Sequence, residues 1–241
     1  MSDLETIAYH HGDIVLTGRL ARPVSTPRAA IVIFPTVING SPRIEKSARD
    51  LAAAGYLAFI ADFYGQPAAD FDAAVALANA LRTDLDYYRT RLRLAVEALH
   101  ALPDATGLPL GAIGYCMGGT SVLELARDGV NLDVVVSFHG LLQTARPAKA
   151  GAIRPRILVC HGDADPLAPR PHVLAFWDEM DTAAARWHFH SYAGVKHNFT
   201  DPASDTRGSD MFAYNASADR QSWAAMLSLF DEVFGEQQPT G

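Results

Sequence analysis

The stretch LGAIGYCMGGTSVLELA, residues 110–126, decides the fold because its hydrophobic period changes near its centre. Its first half is a short apolar run typical of a buried strand, and its second half has the spacing of an amphipathic helix. Gly114, Cys116 and Gly118 lie at the junction. A strand that turns directly into a helix indicates an α/β protein, in which helices cover a parallel sheet.

Apolar runs of the same kind lie on both sides of this stretch and predict further strands. The runs AAIVIFP (29–35) and YLAFIAD (56–62) precede it, and LDVVVSFHG (132–140) and PRILVCHGD (155–163) follow it. Short continuous runs that end in turn residues are typical of buried parallel strands. Before them, the alternating pattern of DIVLTGRLARP (13–23) predicts a half-buried strand in an opening antiparallel hairpin.

Segments with helical spacing alternate with these strands. The clearest is Asp84–Leu102, whose apolar residues recur on one stripe. The alternation predicts a mostly parallel central sheet flanked by helices on both faces, and the length predicts a single domain over residues 1–241. The other predicted helices are Ile44–Ala54, Met117–Arg127, His172–Ala184 and Ser217–Phe234.

The composition excludes several classes of protein. Of the 241 residues, 49% are hydrophobic and 20% are charged, unlike a disordered, collagenous or coiled-coil chain. The net charge of −7 offers no basic surface to nucleic acid or an anionic membrane. The sequence contains neither a run long enough to span a bilayer nor a secretory signal pattern. With only two cysteines, these features predict a soluble, cytoplasmic protein without nucleic-acid or membrane partners.

The junction between Gly114 and Gly118 has the pattern of a nucleophile elbow, G-x-S-x-G, with cysteine in place of serine. Such a turn strains the backbone of the nucleophile, and the flanking glycines let the strand and the helix pass close together. The helix N-terminus favours a thiolate and presents N–H groups to a developing oxyanion. Cys116 is therefore a candidate nucleophile rather than a buried structural thiol.

A nucleophilic thiol needs a base, and the base needs a carboxylate that orients it. In elbow-type sites the acid and then the histidine follow the nucleophile along the chain. Asp163 and Asp165 follow the predicted strand in PRILVCHGD, and His197 follows a last strand in WHFHSYAGVKHNF (187–199). From the residues alone, either aspartate could orient His197 while the other caps the next turn or helix.

A resemblance to a known family is carried by three motifs, GYCMGG (114–119), HGDADPLAP (161–169) and YAGVKHNF (192–199). Together with most of the chain, these motifs resemble the dienelactone hydrolase family of α/β-hydrolases. The resemblance implies an α/β-hydrolase fold, no cofactor or metal, and a catalytic triad of Cys116, Asp165 and His197. It also implies an oxyanion hole formed by the backbone N–H groups of Met117 and Val37.

One departure from the family pattern concerns activation of the nucleophile. Dienelactone hydrolase has a glutamate that contacts and helps activate the cysteine, whereas this chain has Thr36 at the matching position. Without that carboxylate, we expect Cys116 to rest as a thiolate paired with protonated His197, supported by the helix N-terminus.

Two further departures concern the substrate. Dienelactone hydrolase holds the carboxylate of its substrate with two arginines, and this chain has Gln66 and Asp201 at those positions. Because an arginine–carboxylate pair is a strong polar contact, its loss favours a neutral ester or lactone over an anionic lactone. The expectation changes if Arg43 or Arg82 reaches the site.

Other residues are weaker candidates for the site. His139 ends a predicted strand where ligands often bind in α/β folds, although a structural role explains it almost equally well. Cys160 lacks elbow glycines and is predicted to be packing. His188 and His190 share one side of a strand but lack a third metal ligand, so we predict structural roles. The residues predicted to line a substrate pocket are Thr36, Tyr64, Gln66, His139 and Phe199.

These observations predict a hydrolase of a small ester or lactone that forms a thioester acyl-enzyme on Cys116. A thioesterase or acyl transferase could use the same triad with a different acyl group or acceptor. Two other classes also remain, namely a non-catalytic ligand binder that has lost competent chemistry and a thiol redox sensor.

Overall fold

The computed structural model describes residues 4–235. Its strands are β1 (Glu5–His11), β2 (Ile14–Ala21), β3 (Ala30–Phe34), β4 (Leu57–Ile60), β5 (Leu110–Tyr115), β6 (Val134–Phe138), β7 (Arg156–Gly162) and β8 (Trp187–Tyr192). Its α-helices are α1 (Pro42–Ala53), α2 (Phe71–Thr83), α3 (Leu85–His100), α4 (Met117–Arg127), α5 (Arg170–Thr182) and α6 (Ala216–Gly235). Short 3-10 helices lie at Pro103–Ala105 and Pro202–Thr206.

The strands form one eight-stranded sheet in the order β1-β2-β4-β3-β5-β6-β7-β8. The β1–β2 and β2–β4 pairs are antiparallel, whereas β3–β4, β6–β7 and β7–β8 are parallel. The predicted α/β class, with a mostly parallel sheet and an antiparallel hairpin at its start, is therefore confirmed. Within residues 4–235, no helix combines the length and hydrophobicity needed to cross a bilayer.

The chain divides into two compact units, Met1–Ala112 and Ile113–Gly241. The core of the first unit is built on β3 and β4, in which every residue is buried. Helix α1 packs against β4 and begins at Ser41, whose hydroxyl accepts a hydrogen bond from the Ile44 N–H. The single domain over residues 1–241 stays a prediction.

Helix α2 in the first unit was not predicted from the sequence. Its buried residues are Ala74, Ala78 and Leu81, so its inner face is made mostly of small side chains. A face of this kind gives a weak periodic signal, because only large apolar residues stand out against the polar positions. The cap at its start is nevertheless local, since the Asp70 carboxylate accepts a hydrogen bond from the Ala73 N–H.

The second unit is built around α4, all of whose residues are buried. The Arg127 side chain is fully buried and donates to Glu124 at 3.0 Å and to Glu179 at 2.7 and 2.9 Å. It also donates to the Leu142 carbonyl oxygen at 2.6 Å. These contacts hold α4, α5 and the segment after β6 together, and this region supports the residues of the candidate site.

Candidate active site

Cys116 lies between the end of β5 and the start of α4, with φ 55° and ψ −113°. This conformation is strained for a residue with a side chain and costs on the order of 1–3 kcal/mol. The backbone is also crowded beside this residue, because a Cβ atom on Gly114 would lie only 1.9 Å from the Gly118 carbonyl oxygen. The glycine positions of the predicted elbow thus bring the strand and the helix into direct backbone contact.

Hydrogen bonds to the Cys116 backbone hold the elbow in place. Its N–H donates to the Phe138 carbonyl at 3.0 Å, and its carbonyl accepts from the Thr120 N–H at 3.2 Å. A Cβ atom on Gly119 would lie 2.8 Å from the Cα of Gly140, so the first turn of α4 rests on the segment after β6. The partly exposed thiol projects from this fixed backbone.

The structure brings Cys116, His197 and Asp165 into a hydrogen-bonded row. His197 Nε2 lies 3.2 Å from Cys116 Sγ, and His197 Nδ1 lies 2.7 Å from Asp165 Oδ2. The side chains of His197 and Asp165 have no exposed surface. This is the geometry of a nucleophile, a base and a carboxylate that orients the base.

The two aspartates that the sequence left as alternatives have different surroundings. Asp165 contacts His197 with one oxygen and accepts the Leu167 N–H with the other at 2.8 Å. Asp163 is instead hydrogen-bonded to the exposed Arg170, which holds the pKa of this carboxyl below its usual value. Only Asp165 is therefore placed to orient the imidazole.

The charge state of His197 is set by opposing effects. Burial disfavours the imidazolium, but Cys116 and Asp165 outweigh that effect and raise the pKa of His197 to about 10. A raised imidazole pKa means that the proton is held on His197 throughout the neutral range. A resting thiolate–imidazolium pair, which the absence of the family glutamate predicts, stays a prediction.

Both backbone polar groups of His197 are hydrogen-bonded, which fixes the loop that carries this residue. The His197 N–H donates to the Met211 carbonyl at 3.1 Å, and the Ala213 N–H donates to the His197 carbonyl at 3.3 Å. The ring of Phe212 makes an edge contact with the imidazole at a centroid distance of 5.6 Å. The guanidinium of Arg207 lies 5.4 Å from the Phe212 ring centroid.

Two residues predicted to line a substrate pocket, His139 and Phe199, have no exposed surface. Their rings are in edge contact at a centroid distance of 5.2 Å. Their role in a substrate pocket stays a prediction. Asp201 is also largely buried and caps the short helix at Pro202–Thr206 by accepting the Ala203 N–H.

The remaining histidine and cysteine candidates have structural surroundings. Cys160 is buried in β7, where desolvation raises the pKa of its thiol to about 12. His188 and His190 are exposed on β8. Among the described residues, no group of three or more histidine, cysteine, aspartate or glutamate side chains is arranged to hold a metal.

The first unit contains the other residues predicted for the site. Thr36 is buried, and its hydroxyl has no hydrogen-bond partner among residues 4–235. The Tyr64 hydroxyl donates to the Val37 carbonyl at 2.9 Å, which fixes the loop after β3. Gln66 lines a cavity of about 430 Å³ together with Asp62.

Sequence reasoning missed the role of Asp62 in holding the same loop. Its carboxylate accepts hydrogen bonds from the Asn39 side chain at 2.7 Å and from the N–H groups of Thr17, Tyr64 and Gly65. In the sequence, Asp62 appears only as an acidic residue two positions beyond the end of β4, and this position does not reveal its partners distant in sequence.

Comparison with known proteins identifies the family of the chain. The model of the dienelactone hydrolase family matches residues 16–234. The chain belongs to the dienelactone hydrolase family. The resemblance carried by the three motifs is therefore confirmed.

Two relatives of this dienelactone hydrolase family member extend over nearly its whole length. One is the solved structure of P91, described as a dienelactone hydrolase-like promiscuous phosphotriesterase from metagenomic libraries. It is 33% identical to this chain with a TM-score of 0.89, and the match covers 96% of this chain and 99% of that one. A probable 2-oxo-3-(5-oxofuran-2-ylidene)propanoate lactonase of a Bradyrhizobium species is 28% identical over 236 residues, 91% of this chain and 92% of that protein.

An uncharacterized protein of Caenorhabditis elegans is 35% identical over 150 residues, which are 61% of this chain and 94% of that protein.

Proposed function

We propose that this dienelactone hydrolase family member cleaves small, neutral esters or lactones with Cys116 as its nucleophile. The hydrolase class follows from family membership, and the name of the Bradyrhizobium relative favours a lactone or ester bond. The observation that carries the proposal is the continuous row of hydrogen-bonding distances from Cys116 Sγ through His197 to Asp165.

In the first half of the reaction, the Cys116 thiolate attacks the carbonyl carbon and forms a carbon–sulfur bond. The carbonyl oxygen becomes an oxyanion, which backbone N–H groups can stabilise by several kcal/mol, on the order of 3 for one donor. N–H groups of a first helical turn point out of the helix end, which suits Met117 as a donor. The family resemblance assigns the second donor to Val37. Collapse of the intermediate breaks the carbon–oxygen bond, and His197 protonates the departing alkoxide.

In the second half, neutral His197 removes a proton from water, and the hydroxide attacks the thioester. The carbon–sulfur bond breaks, the acid product leaves, and the thiolate–imidazolium pair is restored. Asp165 keeps the imidazole oriented and stabilises its charged form in both halves. The two halves together therefore use one thiol, one imidazole and one water molecule, and no redox change occurs.

The preference for a neutral substrate rests on three side chains. Gln66 carries no charge, Asp201 is engaged as a helix cap, and Arg82 donates to Ala78 and Asn79 of its own helix. Arg207 lies over the ring of Phe212, which contacts His197, so its positive charge is the one to test against a substrate carboxylate. An anionic lactone and a neutral lactone of similar size should therefore be compared in wild type and in Arg207→Met.

The decisive experiment compares wild type with Cys116→Ala and Cys116→Ser on a short-chain nitrophenyl ester and on neutral lactones. We expect turnover by wild type, none by the alanine variant, and trapping of one acyl group on Cys116 by intact-mass analysis with a slow substrate. Circular dichroism establishes that the variants are folded. Equal turnover by wild type and the alanine variant would refute the proposal.

The same assay separates the alternatives that share the triad. Faster cleavage of acyl thioesters than of oxygen esters would indicate a thioesterase, and product transfer to an added alcohol would indicate an acyl transferase. An aryl phosphotriester belongs in the panel because the metagenomic relative is described as a promiscuous phosphotriesterase.

A further inference from the structure

His139 is a buried polar residue that the triad does not use. It follows β6 and has a positive φ of 42°, and its side chain has no exposed surface. Both ring nitrogens are hydrogen-bonded: Nδ1 lies 3.1 Å from the backbone nitrogen of Cys116, and Nε2 lies 2.9 Å from Thr200 Oγ1. The ring therefore contacts the nucleophile on one side and the loop after His197 on the other.

These two contacts fix the protonation state of the ring. The Cys116 N–H is shared between the Phe138 carbonyl at 3.0 Å and His139 Nδ1 at 3.1 Å, and since a backbone N–H can only donate, Nδ1 must carry a lone pair. The ring proton then lies on Nε2 and is donated to the Thr200 hydroxyl. His139 thus serves as an acceptor for the elbow and a donor to the histidine loop, which a charged imidazolium could not do.

The His139 ring is held in place between the turn at Cys116 and the segment that follows His197. The His139 N–H donates to the Cys160 carbonyl at 2.9 Å, which attaches its backbone to β7. The imidazole packs edge-on against His197 at a centroid distance of 5.3 Å. His139 therefore touches the backbone of the nucleophile, the ring of the base and the side chain of Thr200, three residues beyond the base.

We propose that His139 is a positioning residue that sets the distance between Cys116 Sγ and His197 Nε2. This inference rests on the proposed function and adds a residue that acts through both reacting groups without touching the substrate. The thiol–imidazole distance of 3.2 Å joins two separate segments of the chain, and His139 is hydrogen-bonded to both of them. A small displacement of either segment lengthens that distance and weakens the ion pair.

The test uses three variants that remove the contacts separately. His139→Phe keeps a ring but loses both hydrogen bonds, His139→Asn keeps an oxygen acceptor near the Cys116 N–H, and Thr200→Val removes the hydroxyl. His190→Asn, on the exposed face of β8, is the control for the histidine-to-asparagine change.

We expect His139→Phe to lower kcat by about 10- to 100-fold with KM within about threefold of wild type, because substrate contacts are unchanged. The fall in kcat should be much smaller in His139→Asn than in His139→Phe, and it should also be smaller in Thr200→Val. The pH midpoint for alkylation of Cys116 by iodoacetamide should rise in the order control, Thr200→Val, His139→Phe. A purely structural role would lower the melting temperature without moving that midpoint.

An unchanged kcat and alkylation midpoint in His139→Phe would overturn the inference, as would an asparagine variant no better than the phenylalanine variant. If His139→Phe does not fold, the pH midpoints for alkylation in His139→Asn and Thr200→Val are compared with that of the His190→Asn control. Raised midpoints support the inference, and unchanged midpoints overturn it. Alkylation requires no substrate, so a wild type inactive on every ester refutes the proposed function and leaves this test intact.

Discussion

Replacing Asp165 by asparagine separates the charge of the carboxylate from its shape. The Asp165 side chain has no exposed surface, and its two oxygens contact His197 Nδ1 and the Leu167 N–H. An asparagine in the same place must keep its oxygen towards Leu167, so its amide N–H₂ group faces the imidazole. The proton of neutral His197 is then forced onto Nε2, the nitrogen that faces the thiol.

The magnitude follows from two losses. A hydrogen bond to a charged group contributes about 1.5–3 kcal/mol, which alone corresponds to roughly 10- to 150-fold in rate. The wrong tautomer adds to this, since the analogous change in a serine-protease triad costs about 10⁴-fold in kcat. We therefore expect Asp165→Asn to lower kcat/KM by about 100- to 10,000-fold.

The assay is hydrolysis of a nitrophenyl ester under initial-rate conditions, with Asp163→Asn as the matched control. Asp163 is paired with the exposed Arg170 and makes no contact with His197 among the described hydrogen bonds, so its variant should keep its rate within about twofold. Equal losses in the two variants, or an Asp165→Asn rate within about threefold of wild type, would refute the reasoning.

Three further predictions test the charge, the packing and the backbone around the site. Because the pKa of His197 is raised, the charged imidazole should stabilise the Cys116 thiolate at neutral pH. The pH midpoint for alkylation of Cys116 should therefore lie below the pKa of about 8.5 of a free thiol, and His197→Asn should raise this midpoint. An unshifted midpoint in wild type would contradict the ion pair. Arg127→Met removes the fully buried cation that pairs with buried Glu124 and with Glu179, whose side chain is 11% exposed, and should cost about 3–5 kcal/mol, a fall in Tm of roughly 6–20 °C. Exposed Arg170→Met should leave Tm almost unchanged, and equal shifts would contradict this difference. Gly114→Ala forces a Cβ against the Gly118 carbonyl and should abolish ester hydrolysis or lower Tm, while Gly235→Ala, whose added Cβ meets no atom of residues 4–235 within 4 Å, serves as control. An active Gly114→Ala of wild-type Tm would show that the elbow tolerates a side chain there.

The elbow and the order of the triad were predictable because their signals are local. The glycines around Cys116 report a close backbone approach, and the carboxyl ends of parallel strands share one edge of the sheet. The order of nucleophile, acid and histidine in elbow-type sites then pointed to the strand ends before Asp165 and His197. The predicted helix Met117–Arg127 coincides with α4 for the same reason, since its spacing is strong and its start is marked by the elbow.

The missed features depend on contacts between residues distant in sequence. The residues alone do not distinguish Asp165, which the family resemblance assigns, from Asp163; the structure shows Arg170 beside Asp163 and His197 beside Asp165. The two partners of His139 lie 23 and 61 residues away, so its enclosed position was not visible in the sequence. Helix α2 was missed because alanines replace the larger side chains that mark a buried face.

The positive φ of Cys116 has an evolutionary consequence. The contacts that hold the turn are made by backbone atoms: the Cys116 N–H donates to the Phe138 carbonyl, and Gly114 lies against the Gly118 carbonyl. Exchange of cysteine for serine would keep these backbone contacts and replace a thiol by an alcohol at the same position. The elbow is therefore one substitution away from the serine form of the G-x-S-x-G pattern.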